Sequence, residues 1–331
     1  MIQATTPGNY HRGIVTPVTA VTARVPAKVN LQLAVGPVRA DGYHDLVTVF
    51  HAVSLFDEVT VSPAEVDSVT VTGEGADQVP ADSGNLAARA VAALLAVAGE
   101  GLRDSPGVAI RIRKRIPVAA GLAGGSGDAA AALIACNELW RAGLSQQELC
   151  EIAAGLGSDV TFALVGGTAV GLGRGEQVTP ALTAGTFHWV LAFADGGLST
   201  AEVYAACDRL RARDGDGRGL PGPPALDTGL MAALRSGDPA ALAQHLTNDL
   251  QPAAVSLRPG LRRALAAGQE LGALAAIVSG SGPTCAYLAR DARHAQRIAV
   301  GLTAAGVCRS VAAAVGPVPG ATVIPAVAEP A

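Results

Sequence analysis

Aromatic residues are scarce in this sequence, 3% of 331 residues, although half of the chain is apolar. Ala, Val, Leu and Gly must therefore fill the core, which relies on the close approach of small side chains. Long apolar runs are also missing. No stretch reaches the roughly 18 residues that span a bilayer without a Gly or a charge breaking it, so no membrane partner is expected. The first twenty residues hold Arg12 but no apolar segment of the signal-peptide kind. The five cysteines (Cys136, Cys150, Cys207, Cys285, Cys308) form no C-x-x-C pair and have no His at metal-ligand spacing. That is the pattern of reduced, buried thiols, and we expect a cytoplasmic protein. Basic charge is not in excess either: 24 Lys and Arg stand against 28 Asp and Glu, for a net charge of −4 without long runs. A nucleic-acid surface needs a Lys/Arg excess to neutralise phosphates, so none is expected. An anionic small molecule needs only a few local donors and stays open.

The length admits two domains. Residues 1–20 keep no period and carry Pro7, Gly8, Gly13 and Pro17, which reads as a flexible leader. From Ala23 to Val35 apolar residues alternate through Val25, Ala27, Val29, Leu31 and Leu33, with Lys28 and Asn30 on the other face of a strand. Asp41-Gly42 is a turn signal, and Val47–Val61, Val66–Thr72 and Val108–Arg113 read as further strands. Asn85 caps a helix that runs to Ala98. The Ala-rich stretch Asp128–Trp140 is a helix, and Ser145 opens another that ends near Gly155. Strands are expected at Thr168–Leu172, Phe187–Ala194, Ala275–Ser279, Thr284–Ala289 and Ser310–Ala314. Helices are expected at Thr200–Arg213, Asp227–Arg235, Pro239–Asp249, Arg258–Ala267 and Ala292–Ala305. Asp214–Pro224 is rich in Gly and Pro and reads as a mobile loop. The domain boundary is expected near residue 180, with units over 21–180 and 181–315 and a loose tail over 316–331.

The strongest local signal is the run Pro117-Val118-Ala119-Ala120-Gly121-Leu122-Ala123-Gly124-Gly125-Ser126-Gly127, which lies between a strand and a helix. Glycines let backbone approach an anion and turn successive N–H groups toward it. The helix that follows adds its positive N-terminal end. The run is not GxxxxGK[ST], and no clean G-x-G-x-x-G with a distal acid is present, so neither a P-loop nor a dinucleotide fold is indicated.

With Asp128-Ala129-Ala130 added, this loop closely resembles the phosphate loop of the GHMP family of small-molecule kinases (galactokinase, homoserine kinase, mevalonate kinase and phosphomevalonate kinase). Two more motifs of that family stand in the right order: Pro26-Ala27-Lys28-Val29-Asn30-Leu31 and Ser279-Gly280-Ser281-Gly282-Pro283-Thr284. Ala40-Asp41-Gly42-Tyr43-His44-Asp45-Leu46 and Leu156-Gly157-Ser158-Asp159-Val160 resemble segments of the branch that phosphorylates a cytidine diphosphate sugar-alcohol on the non-mevalonate route to isoprenoid precursors. The resemblance covers residues 22–315. It departs from the family pattern at Ala119, Ala120 and Ala123, which replace common glycines, and at Gly127-Asp128, where Ser-Asn is often seen.

The resemblance implies a two-domain α+β fold, with a ribosomal-protein-S5-like N-terminal unit and a ferredoxin-like C-terminal one, acting as a monomer or weak homodimer. It implies ATP as phosphoryl donor, Mg2+ as its counter-ion, and the residues 117–127 together with Lys114 as the ATP site. It implies Asp159 as catalytic base, paired with Lys28, which keeps it ionised and stabilises developing charge. Taken alone, Asp159 reads as a cap or turn aspartate ahead of an apolar strand, and Lys28 as a solvated strand lysine. Tyr43 and His44 offer two adjacent rings on which a cytosine could stack, with Tyr204 as a second wall. Asn30 and Thr200 would contact the acceptor, and Ser126, the one loop hydroxyl, a metal ion. Lys114 reads equally as a nucleotide neighbour or a solvent-facing lysine, and the remaining histidines as structural or surface groups. Other readings are another GHMP kinase of the homoserine or mevalonate type, and a non-catalytic nucleotide-binding sensor.

Overall fold

The structure is a computed structural model that describes residues 20–98, 107–213 and 222–325. Nearly all of the expected leader, most of the 214–224 loop and the end of the expected tail lie outside these residues. In chain order the elements begin with β1 (Val21–Val38), β2 (His44–Ala64), β3 (Ser68–Gly73), α1 (Leu86–Val97), β4 (Gly107–Lys114) and α2 (Gly124–Leu139). Then follow α3 (Gln146–Leu156), α4 (Ser158–Val165), β5 (Thr168–Gly173), β6 (Gln177–Pro180), β7 (Phe187–Phe193), α5 (Thr200–Arg213), α6 (Thr228–Ser236) and α7 (Pro239–Ala243). The last are β8 (Thr247–Asn248), α8 (Gln251–Leu257), α9 (Gly260–Glu270), β9 (Ala275–Val278), β10 (Cys285–Ala289), α10 (Ala292–Ala305), β11 (Ser310–Gly316) and β12 (Thr322–Ile324).

Two sheets form, as the α+β expectation requires. The first runs β12-β1-β2-β4-β3, with β5 and β6 continuing from β2 and β8 pairing in parallel with β1. The second is the antiparallel sheet β11-β7-β10-β9. Ala-rich α2 packs on the first sheet: its Ala129–Leu133 run is buried with Val21, Ala23 and Val25 of β1 and Ile110 and Ile112 of β4. A second core joins both sheets, with Ala27, Val29, Leu31, Val49 and Val53 against Phe187, Trp189, Leu191 and Leu288. Because the halves share this core, the cleft between them has fixed walls.

The strand pattern of β1 is as expected, but its second face is not solvated. Lys28, Asn30 and Gln32 are all buried: Lys28 and Asn30 line the cleft, and Gln32 bonds the Ala225 carbonyl and the Asp227 amide. Register shifts between Pro26 and Ala27 and between Asn30 and Gln32 bracket the Lys28–Asn30 segment. Such bulges re-aim side chains beside functional sites.

Four expectations are corrected. The glycines 124–127 are the first turn of α2 rather than a loop before a helix at Asp128. Val160–Val165 belongs to helix α4, not a strand; a short run buried at five successive positions, Val160–Leu164, has no readable period. Pro239–Asp249 is the short α7 followed by β8, and α8 follows without having been expected. Residues 316–325 are no loose tail: β12 pairs antiparallel with β1, so Thr22 faces Ile324 and the chain end re-enters the first sheet.

Candidate active site

The loop between β4 and α2 is tied down through its carbonyl oxygens. Leu198 N–H donates to Ala119 O at 3.2 Å, Thr284 N–H to Ala120 O at 3.3 Å, and Lys28 N–H to Leu122 O at 3.3 Å. Ser279 Oγ donates to Gly121 O at 3.1 Å. In a trans peptide the N–H points opposite to the preceding C=O. With four successive carbonyls turned into the body, the amides of residues 120–123 turn the other way. Gly121 (φ +75°) is obligatory: a Cβ there would lie 2.1 Å from Ser279 O. Ala119 and Ala123 take left-handed φ values of +50° and +60°, a conformation that glycine adopts at less cost.

The loop lines a cleft of about 700 Å³ with Lys28, Asn30, Thr48, Asp159, Thr200, Tyr204 and Ser281. Of the expected ATP-site residues, Pro117–Gly121, Ala123–Ser126 and Lys114 face this cleft, while Leu122 and Gly127 do not. The Leu122 side chain belongs to the core shared by the two sheets. A Cβ on Gly127 would sit 3.2 Å from Val25 Cγ1, so this position carries packing rather than a phosphate contact.

Asp159 lies in the first turn of α4, half-buried on the cleft wall. Lys28 does not form the expected ion pair with it. Its ammonium donates to Asn30 Oδ1 at 2.5 Å and lies 6.0 Å from the Phe50 ring centroid. Asn30 is itself held by Thr48 Oγ1 at 2.8 Å. Burial pushes the Lys28 pKa down, and the charge of Asp159 across the cleft opposes that shift. With a neutral amide as its nearest partner, the ammonium is a buried cation short of negative charge, which suits an incoming phosphate.

Lys114 is not solvent-facing. It is buried between Asp57 Oδ2 at 2.5 Å and Asp128 Oδ2 at 2.7 Å. Burial disfavours its charge, but the two carboxylates outweigh this and raise its pKa. Asp57 also accepts from Arg115 N–H at 2.5 Å and Ile116 N–H at 2.8 Å, which fixes the strand end that leads into the loop. Burial, opposed by Lys114 and reinforced by Asp57, pushes the Asp128 pKa up. Sequence reasoning missed Asp57, although composition carried a signal for the cluster. The chain has only two lysines among its 24 basic residues, Lys28 and Lys114, and both are buried on the cleft wall.

A second cavity, about 980 Å³, adjoins the first and shares Leu46, Ser158, Arg174, Thr200 and Tyr204 with it. It is lined by Tyr43, His44 and Asp208 as well. Tyr43 and His44 do not form one stacking platform. His44 is buried, with its ring centroid 5.1 Å from that of Tyr204 and its Nε2 3.0 Å from Asp208 Oδ1. Tyr43 is 54% exposed and lies under the Arg174 guanidinium at 4.0 Å. Thr200 Oγ1 is 3.0 Å from Ser281 Oγ, which links it to the third motif. Of the remaining histidines in the described residues, His51 and His294 are buried.

The family models match in two parts: GHMP kinases N terminal domain over residues 85–167 and GHMP kinases C terminal over residues 230–308. A 4-diphosphocytidyl-2-C-methyl-D-erythritol kinase of Thermobifida fusca is 58% identical over 314 residues, covering 92% of this chain and 99% of that protein. The protein of the same name from Mycobacterium tuberculosis is 57% identical over 314 residues, with 95% and 96% covered. A crystal structure of 4-(cytidine 5'-diphospho)-2C-methyl-D-erythritol kinase superposes with a TM-score of 0.70 at 34% identity, over 88% of this chain and 98% of that one. The L. major mevalonate kinase structure, at 18% identity, 91% and 98% coverage and a TM-score of 0.69, shares the fold. The chain belongs to the GHMP kinase family, in the branch of its 4-diphosphocytidyl-2-C-methyl-D-erythritol kinase relatives.

Proposed function

We propose that the protein transfers the γ-phosphoryl group of ATP to the 2-hydroxyl of 4-diphosphocytidyl-2-C-methyl-D-erythritol, on the non-mevalonate route to isoprenoid precursors. The observation that carries this reading is the position of Lys28 and Asp159 on one cleft, between the phosphate loop and a second cavity walled by His44 and Tyr204. ATP phosphates lie over the loop amides and the start of α2. The segment Gln78–Leu86, which contributes Val79, Pro80, Gly84 and Asn85 to the same wall, takes the rest of the nucleotide. The cytosine ring enters the second cavity against Tyr204 and His44, with Tyr43 at its rim.

Asp159 accepts the proton of the attacking hydroxyl, and Lys28 stabilises charge on the transferred phosphoryl group. Asn30 orients the Lys28 ammonium and reaches the acceptor from the same strand face. Thr200 contributes a hydroxyl at the junction of the cavities. The residues present fit a Mg2+ ion of the phosphate-borne kind, which takes most of its ligands from phosphate and water. The half-buried Ser126 hydroxyl on the cleft wall would hold it there, where it would neutralise phosphate charge. We read it as a cytoplasmic enzyme with a small-molecule acceptor, a monomer or weak homodimer without membrane partners, and the net charge of −4 supports the absence of a nucleic-acid partner. None of the helices among the described residues is long and apolar enough to cross a membrane.

A substrate panel tests the reading. ATP consumption is expected with the cytidine diphosphate acceptor and not with 2-C-methylerythritol 4-phosphate, homoserine or mevalonate. Equal turnover of any of these three would overturn it.

A further inference from the structure

The acceptor proposed above has two parts that must lie in different places. Its base belongs in the second cavity, and its reacting hydroxyl must reach Asp159 in the first. The diphosphate between them therefore crosses the wall that both cavities share, formed by Leu46, Ser158, Arg174, Thr200 and Tyr204. Arg174 is the one charged residue of that set. Of the other cations nearby, Lys28 serves the transferred phosphoryl group, Lys114 lies between Asp57 and Asp128, and Arg39 bridges Asp41 and Asp45.

Arg174 is built in rather than loosely displayed. It occupies the tight turn between β5 and β6. Its N–H donates to Glu176 Oε2 at 2.6 Å, and its carbonyl oxygen accepts from Ser158 Oγ at 2.9 Å. This second contact anchors it to the residue before Asp159. The guanidinium stacks over Tyr43 and gives one Nη2 donor to Asp41 Oδ2 at 3.0 Å. A guanidinium has five N–H donors in a flat fork, so most of them remain for a ligand, and the side chain is 45% exposed. The surrounding wall is acidic, with Asp41, Asp159, Glu176 and Asp208. Arg174 offsets that acidity where the two cavities meet.

Resting on the function proposed above, we propose that Arg174 grips the diphosphate of the acceptor where the two cavities meet, and so selects nucleoside diphosphate acceptors over acceptors with one phosphate or none. Bidentate pairing with phosphate oxygens is what the arginine fork does well and what a lysine does as a point charge only.

The test measures steady-state kinetics of wild type, Arg174→Gln and Arg174→Lys, with competitive inhibition by CDP, CMP and cytidine. In Arg174→Gln the acceptor KM and the CDP inhibition constant should each rise about 10- to 100-fold, the range of a hydrogen bond to a charged group. Inhibition by cytidine and the KM for ATP should not move. Arg174→Lys should fall between, and it carries the test if Arg174→Gln does not fold. Equal losses for CDP and cytidine would mean that Arg174 only packs on Tyr43, and the proposal would fail. A fall in kcat with unchanged CDP affinity would assign Arg174 to the transferred phosphoryl group instead, and the proposal would again fail. If wild type neither turns over the cytidine acceptor nor binds CDP, the function proposed above is what fails.

Discussion

Gly121 and Ser279 stand 158 residues apart, yet Ser279 Oγ donates to Gly121 O at 3.1 Å. At the same point a Cβ on Gly121 would overlap the Ser279 carbonyl oxygen. The phosphate loop is thus shaped by the third motif, and the two halves of the chain must close on each other before the loop has its geometry. The predictions below separate what this closure supports from what the reaction itself uses.

Asp159→Asn keeps the shape of the first turn of α4 and removes the carboxylate. The expected loss in kcat is at least about 100-fold, the low end for removal of a general base. The dissociation constant for ATP, measured by calorimetry, should change little because the loop is untouched. Near wild-type turnover would end the assignment of Asp159 as base.

Loop substitutions should differ between neighbouring glycines. A Cβ on Gly124 would sit 3.0 Å from Lys114 Nζ and 3.1 Å from Ile116 Cγ2, so Gly124→Val should disturb the buried Lys114 cluster and lower the melting temperature. A Cβ on the exposed Gly125 meets nothing within 4 Å. Gly125→Val should therefore fold, yet place a branched side chain over the phosphate path and weaken ATP binding at least tenfold. Unchanged ATP affinity in folded Gly125→Val would remove this turn from the ATP site.

The Lys114 cluster holds two carboxylates and one ammonium. Lys114→Met strands both acids and should cost about 3–5 kcal/mol in denaturant unfolding, as for other broken buried pairs. Asp128→Asn leaves one acid against one base, and its stability should stay within about 1 kcal/mol of wild type. The pH sign differs from that of an ordinary salt bridge. The folded-state pKa of Asp128 is raised, so the native state binds more protons than the unfolded chain between the two pKa values, and the Asp128 contribution falls as pH rises through that window. Asp128→Asn should abolish this fall, and a pH profile identical to wild type would refute the assignment.

His51 gives the opposite slope. It is buried, its Nδ1 is 2.8 Å from Thr168 Oγ1, and burial pushes its pKa down to about 3. The unfolded chain binds a proton near pH 6.5, whereas the native state resists it until about 3. Stability should therefore fall as pH drops below about 6.5, with a slope from this group approaching about 1.4 kcal/mol per pH unit. His51→Gln should flatten the acid limb of the unfolding curve, and an unaltered limb would show that other groups set it.

Sequence by itself determined the features that depend on contiguous residues. The alternation of β1, the Asn85 and Ser145 caps and the Gly-rich entry to α2 are properties of a few neighbouring side chains, and the order of three motifs was legible for the same reason. Tertiary structure decided what those residues face. Lys28 sits on a strand face that reads as polar, and it is buried because the Gly280 loop of the third motif and the Phe50 ring close on its ammonium. Its partner is Asn30, two residues away, because the cleft keeps Asp159 beyond ion-pair distance. Asp57 reads as one more charge in a strand until Lys114 and the Arg115 and Ile116 amides converge on it. Arg174 lies in a turn without any local signature and matters through where that turn lands, between two cavities and over Tyr43. Periodicity encodes which face of an element is apolar, but burial of a charge and the identity of its partner depend on how separate segments land on one another, which no local pattern records.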